Sequence, residues 1–175
     1  MADVISIDRE WVGAELVGAI DQERALSSGA TSRAGSPPHD SLTVLYHEIA
    51  ESDLRHAAIL EIVATRYGHT PRDPAQGGVS GILGQLKAQV GELGSLPFQQ
   101  VWNDVAAKAR WIHWLAAWAH TFETLGDLDS ARDLASVISE EKEHQDALQS
   151  SLNRLIQSRA TADDHTAGSG VIRGT

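Results

Sequence analysis

The sequence predicts an all-α protein built as an antiparallel four-helix bundle. Four long segments carry apolar residues at helical spacing, proline- or glycine-bearing breaks separate them, and the last two are joined by the short link GDLD. A connection that short predicts neighbouring helices that run antiparallel.

The first helix is expected from about Asp8 to Ser27, with Val12, Leu16, Ala19, Ile20, Glu23 and Leu26 on one stripe. The stretch SSGATSRAGSPPHDS is then expected to break it, since prolines and small polar residues disfavour a continuing helix. Asp40 or Ser41 is the expected cap of the second helix, which reads to about Tyr67 with Leu42, Leu45, Ile49, His56, Leu60, Val63 and Tyr67 in line. Gly68 and HTPRDPAQGG close it. A short extra helix is expected in the connection, where Val79, Ile82, Leu83, Leu86, Val90 and Leu93 recur at helical spacing.

Pro97 opens the third helix, because a first-turn proline gives up an N–H that has no partner there anyway. Gly126 ends it. The fourth spans about Asp129 to Ser158, with Leu134, Val137, Ile138, Glu141, Leu148, Leu152 and Leu155 facing inward. Residues 1–158 thus read as one domain and residues 159–175 as a small, polar, disordered tail.

Composition narrows the function classes. The 175 residues carry no cysteine, which excludes disulfides, thiolate metal sites and cysteine nucleophiles together. A formal net charge of −10 with no Lys/Arg cluster argues against a nucleic-acid partner. No run approaches the length a membrane helix needs, and MADVISIDRE lacks a basic-then-apolar leader pattern, so a cytoplasmic location is expected. Hydrolase signatures are missing too: the sequence has no nucleophile elbow, no phosphate loop and no zinc-peptidase motif.

The informative residues are polar ones in apolar stripes. Glu23 lies between Ile20 and Leu26, His56 between Ile49 and Leu60, and Glu141 between Leu134 and Leu148. Asp53 precedes His56 by three positions and His144 follows Glu141 by three, so each pair shares a helix face. A buried carboxylate without a partner neutralises or finds a cation. Two divalent ions held by hard oxygens and imidazoles explain all five residues at once. Glu48, Glu51, Glu140, Glu143 and His47 read as solvated flank. Helix three differs: its inward stripe is Asp104, Lys108, Trp111, Leu115, Trp118 and Phe122, while His113 and His120 point away.

The segments IDQERAL, LYHEIAESDLRHAAILEIVATRYG and LAAWAHTFETLGDLDSARDLASVISEEKEHQDALQSSLNRL resemble the ferritin-like superfamily, most closely the YciE/YciF type of small bacterial bundle proteins. The resemblance spans most of residues 8–158. It implies a compact, often dimeric bundle, metal-binding or stress-associated. By position, Glu23, His56, Glu141 and His144 match places where relatives keep polar ligands, and Asp53 stands for the usual glutamate. Helix three departs from the pattern, offering Lys108 and Trp111 where the resemblance implies a carboxylate.

Two readings of the core therefore stand side by side. In one, Glu23, Asp53, His56, Glu141 and His144 hold two iron or manganese ions, with Tyr46 a redox neighbour and oxygen or peroxide the reactant. In the other, no metal is bound; the ammonium of Lys108 is the built-in cation, Trp111 fills volume, and the chain is a structural or interaction module. Trp114, off the stripe centre, suggests a homodimer contact. The tail ending GSGVIRGT adds docking to a protein compartment as a further partner reading.

Overall fold

The computed structural model describes residues 8–69 and 97–167. Among them the chain is helical throughout its regular structure, with four long helices and no strand: α1 (Arg9–Gly35), α2 (Thr43–Arg66), α3 (Pro97–Leu125) and α4 (Leu128–Ala167). A 3-10 turn, Asp40–Leu42, leads into α2. The short helix expected over Val79–Leu93 lies outside the described residues, as does the tail beyond Ala167.

Local chemistry sets the ends. Asp8 caps α1 by accepting from the Glu10 N–H at 2.9 Å. The start of α2 corrects the expected Asp40 or Ser41 cap: the His39 ring accepts from the Ser41 N–H at 3.2 Å and caps the 3-10 turn, and α2 has no side-chain cap. Both α2 and α3 stop at a glycine in the left-handed region, Gly68 (φ 84°) and Gly126 (φ 76°). After each, the next residue reaches back five positions to a helix carbonyl: His69 N–H to Ala64 at 3.1 Å and Asp127 N–H to Phe122 at 2.9 Å. Asp127 then accepts from the Ser130 N–H at 3.1 Å, opening α4.

Two boundaries differ from expectation. Instead of ending near Ser27, α1 continues to Gly35. Ala30 and Ala34 are buried there against the same apolar cluster as Leu42, Tyr46 and Ile49. The Ser27 hydroxyl donates to the Ala50 carbonyl at 2.8 Å. Small residues that are indifferent helix formers let two helices approach closely, and that packing outweighs intrinsic propensity. Helix α4 likewise continues past Ser158 to Ala167.

The helices pack most extensively as α1 with α2 and α3 with α4, with α2 also meeting α4. Their apolar faces form two clusters. One gathers Val12, Leu16, Leu60, Val63, Leu115, Phe122, Leu134 and Val137; the other Leu42, Tyr46, Ile49, Val101, Leu148 and Leu152. Along every helix the buried ionisable residues fall between the two: Glu23 on α1, Asp53 and His56 on α2, Lys108 on α3, Glu141 on α4. The bundle is thus an apolar core cut across its middle by one charged layer. Among the described residues, no helix is long and apolar enough to cross a membrane.

Candidate metal centre

Each charged side chain in this layer occupies a stripe position that an apolar residue would otherwise fill, so helix periodicity itself carries it inside. Glu23, Asp53, His56 and Glu141 are each 0% exposed. One ligand-capable atom from each lies within 4.8 Å of all the others. The structure therefore brings together four of the five residues expected as ligands. His144 is not in the group; it is half-buried one turn beyond Glu141, and its Nδ1 has no hydrogen-bond partner among the described residues.

His56 organises the layer. Its Nδ1 faces Glu141 Oε1 at 3.0 Å and Glu23 Oε1 at 3.8 Å, toward the carboxylates. Its Nε2 faces outward to the Ser52 hydroxyl at 3.1 Å and Glu140 Oε2 at 3.3 Å. Ser52 in turn donates to Glu140 Oε2 at 2.7 Å. Without an ion the Nδ1–H donates to Glu141 Oε1; an ion bound there would take the place of that proton, and Glu140 would then hold the proton on Nε2. A carboxylate holding the far nitrogen of an imidazole is the usual support of a metal-ligating histidine. Glu140 is 38% exposed, so the sequence expectation of a flank position is met in exposure, yet its carboxylate belongs to the site.

Lys108 enters from α3. Its ammonium donates to Asp53 Oδ1 at 2.6 Å and to Glu141 Oε1 at 2.8 Å. Glu141 Oε2 is equally close, but the approach there lacks hydrogen-bond direction. The indole N–H of Trp111 donates to Glu23 Oε1 at 2.7 Å.

The electrostatics follow from burial. Desolvation, followed by repulsion from Glu141 and Asp53, pushes the Glu23 carboxyl up to about 9, against the smaller opposing pulls of Trp111 and Lys108. Asp53 is raised to about 6, again by desolvation, with Lys108 resisting. Burial acts on Glu141 in the same sense, but the hydrogen bond from His56 and the charge of Lys108 hold it below the ordinary range. Burial opposes the Lys108 charge, yet Asp53 and Glu141 keep it raised. His144 is pushed down by burial and then by Lys108.

Two buried carboxylate oxygens, Glu23 Oε2 and Asp53 Oδ2, have no partner among the described residues, while Glu141 Oε2 meets only the Lys108 ammonium, at 2.8 Å. Orphaned buried carboxylate oxygens are costly and rare. With a carboxylate oxygen of Glu141 and the inward Nδ1 of His56 they form a donor set of three hard oxygens and one imidazole, which suits a divalent first-row ion. The buried group can hold a metal ion. Lys108 does not exclude one: three carboxylates carry three negative charges, which one divalent ion and one ammonium neutralise.

Sequence periodicity finds Glu23, Asp53, His56, Lys108, Trp111 and Glu141. It misses Ser52 and Glu140, whose roles come from how α2 and α4 are turned toward each other, and no pattern in either helix alone signals that. In comparisons with known proteins, no family model, curated protein or solved structure matches the chain.

Proposed function

We propose that this chain is a ferritin-like metal-binding bundle that holds a divalent iron or manganese ion on Glu23, Asp53, His56 and Glu141. The observation that carries the proposal is the convergence of four buried donors within 4.8 Å, drawn from three helices. The unpartnered Glu23 Oε2 and Asp53 Oδ2 and the backing of His56 by Glu140 add to it. An ion bound there would supply Lewis acidity or one-electron redox chemistry. Glu23, Asp53 and Glu141 contribute charge, His56 contributes its Nδ1 lone pair, and Glu140 fixes the ring. Lys108 balances the remaining charge through the oxygens of Asp53 and Glu141 that face it. This donor set favours one ion; a second would need His144 to turn inward and Lys108 to leave.

A titration with Mn(II) or anaerobic Fe(II), followed by thermal unfolding, tests this. A ligand bound only by the folded state stabilises it by mass action. The melting temperature of the wild type should rise with metal and that of Glu23→Gln should not. No rise with either ion in folded wild-type protein would contradict the proposal.

One observation favours a second reading. Lys108 already makes two short charge-assisted bonds, at 2.6 and 2.8 Å, in the layer. On that reading the ammonium replaces the metal, and the chain serves as a metal-free interaction module. The homodimer, the reducing cytoplasm, a role in stress and the docking tail carry over as parts of the proposal. Leu54 and Ile62, each more than half exposed, are apolar side chains available to a dimer contact.

A further inference from the structure

We propose that four tryptophans form a one-electron relay joining the buried acidic layer to the surface at Trp11. The chain of rings is continuous. Trp111, hydrogen-bonded to Glu23, stacks on Trp114 with centroids 4.9 Å apart and planes 11° from parallel. Trp114 meets Trp118 at 5.7 Å, and Trp118 meets Trp11 at 5.4 Å. Trp111 is 8% exposed and Trp11 is 53% exposed, so the chain has a protected end and an open one.

Indole gives up an electron without losing its proton more readily than the other aromatic side chains, and rings in or near contact exchange single electrons easily. A packing role alone explains Trp118, which lies in the apolar cluster with Phe122. What the relay adds is continuity, from an indole bonded to a buried carboxylate at one end to a half-exposed indole at the other. Were the layer to hold an iron or manganese ion raised to a higher oxidation state by peroxide, that ion would be the one-electron oxidant, and Trp111 would give it one electron. Trp114, Trp118 and Trp11 refill the vacancy in turn, and a soluble one-electron donor, such as a thiolate, refills Trp11. One electron crosses; the oxidant is reduced by one, the donor oxidised by one, and every indole returns to its starting state. The Trp111 N–H proton is shared with Glu23 during the step and is retained. Net, the relay drains oxidising equivalents from the core.

The oxidant rests on the metal reading, but electron exchange along the four rings does not, so the test uses metal-free full-length protein. A photo-oxidised ruthenium tris-bipyridine complex, too bulky to reach Trp111, removes electrons at the surface; indole oxidation products are then mapped by mass spectrometry. Trp102, exposed and outside the chain, reports direct surface attack. The wild type should accumulate oxidised Trp111. Trp114→Phe should lower that at least tenfold while Trp11 and Trp102 are oxidised as before, and Trp11→Phe should lower it several-fold. Helicity measured by circular dichroism shows that each variant is folded. Trp11→Phe alters a half-exposed side chain and keeps the test alive if Trp114→Phe does not fold. No oxidation of Trp111 in the wild type, or an unchanged level in Trp114→Phe, would overturn the relay. An unchanged level in Trp11→Phe would overturn the placement of its surface end.

Discussion

Lys108 on α3 donates to Asp53 on α2 at 2.6 Å, which fixes a positive charge in the middle of three buried carboxylates. The same ammonium reaches Glu141 on α4. One residue thus ties three helices together and sets how much further charge the layer can accept.

Removing that charge should be felt strongly. In metal-free protein, Lys108→Met leaves Asp53 and Glu141 facing each other without compensation, and breaking a buried ion pair from one side costs about 3–5 kcal/mol. Urea unfolding of the two proteins at neutral pH measures the difference. Mn(II) should restore much of the lost stability, because the site then needs more positive charge. A variant as stable as the wild type without metal would show that Lys108 does not balance the layer.

The raised Glu23 carboxyl predicts the pH dependence of the metal-free protein. Its proton is held in the folded state up to about 9, whereas the unfolded chain releases it near 4.5. Between those values the folded state binds more protons, so stability is highest at the acidic end and falls as pH rises. Asp53, raised to about 6, acts in the same direction but only at lower pH. His144, pushed below its ordinary 6.5, acts in the opposite sense near that pH, so the interval from about pH 7.5 to 9 isolates Glu23, with a slope of up to about 1.4 kcal/mol per pH unit. Glu23→Gln should flatten it. Metal binding should release the same proton, seen as a buffer-dependent heat in titration calorimetry. Equal slopes in wild type and Glu23→Gln would assign the proton elsewhere.

Glu140 should matter for metal and little for folding. It accepts from Ser52 and faces His56 Nε2, and the hydrogen bond from Ser52, ahead of that from Arg55, holds its carboxyl below the ordinary range. Glu140→Gln keeps the shape but loses the charge that orients the imidazole. Removing such a supporting group typically lowers metal affinity about 10–100-fold. Mn(II) affinity by calorimetry, with the melting temperature of metal-free protein as the control, separates the two effects. Unchanged affinity would mean that Nε2 is not the protonated nitrogen.

Much of the site was legible because helix geometry turns spacing into direction. Glu23, His56 and Glu141 fall on apolar stripes at 100° per residue, and burial then makes them neighbours. Lys108 was legible in the same way, as the one cation in the α3 stripe. What the stripes did not disclose depends on relations between helices. Glu140 lies one residue before Glu141 and reads as flank, yet it meets Ser52 and His56 across the α2–α4 contact. His144 shares a face with Glu141 but stays out of the group. The continuation of α1 to Gly35 was hidden for a different reason: Ser, Gly and Thr are weak helix formers, and only the α1–α2 packing reveals what their small size permits. At the end of the bundle, Tyr67 donating to Asp127 at 2.9 Å joins two turns far apart in sequence, which local pattern does not encode.

The most direct test of the central claim is metal content by plasma mass spectrometry, on protein expressed with iron and manganese and purified without chelator. Wild-type protein should carry about one equivalent of iron or manganese per chain, matching the single donor set of Glu23, Asp53, His56 and Glu141. Glu141→Gln, isosteric but uncharged, should carry almost none while remaining helical. Folded wild-type protein without bound metal, or a Glu141→Gln variant that retains it, would contradict the account.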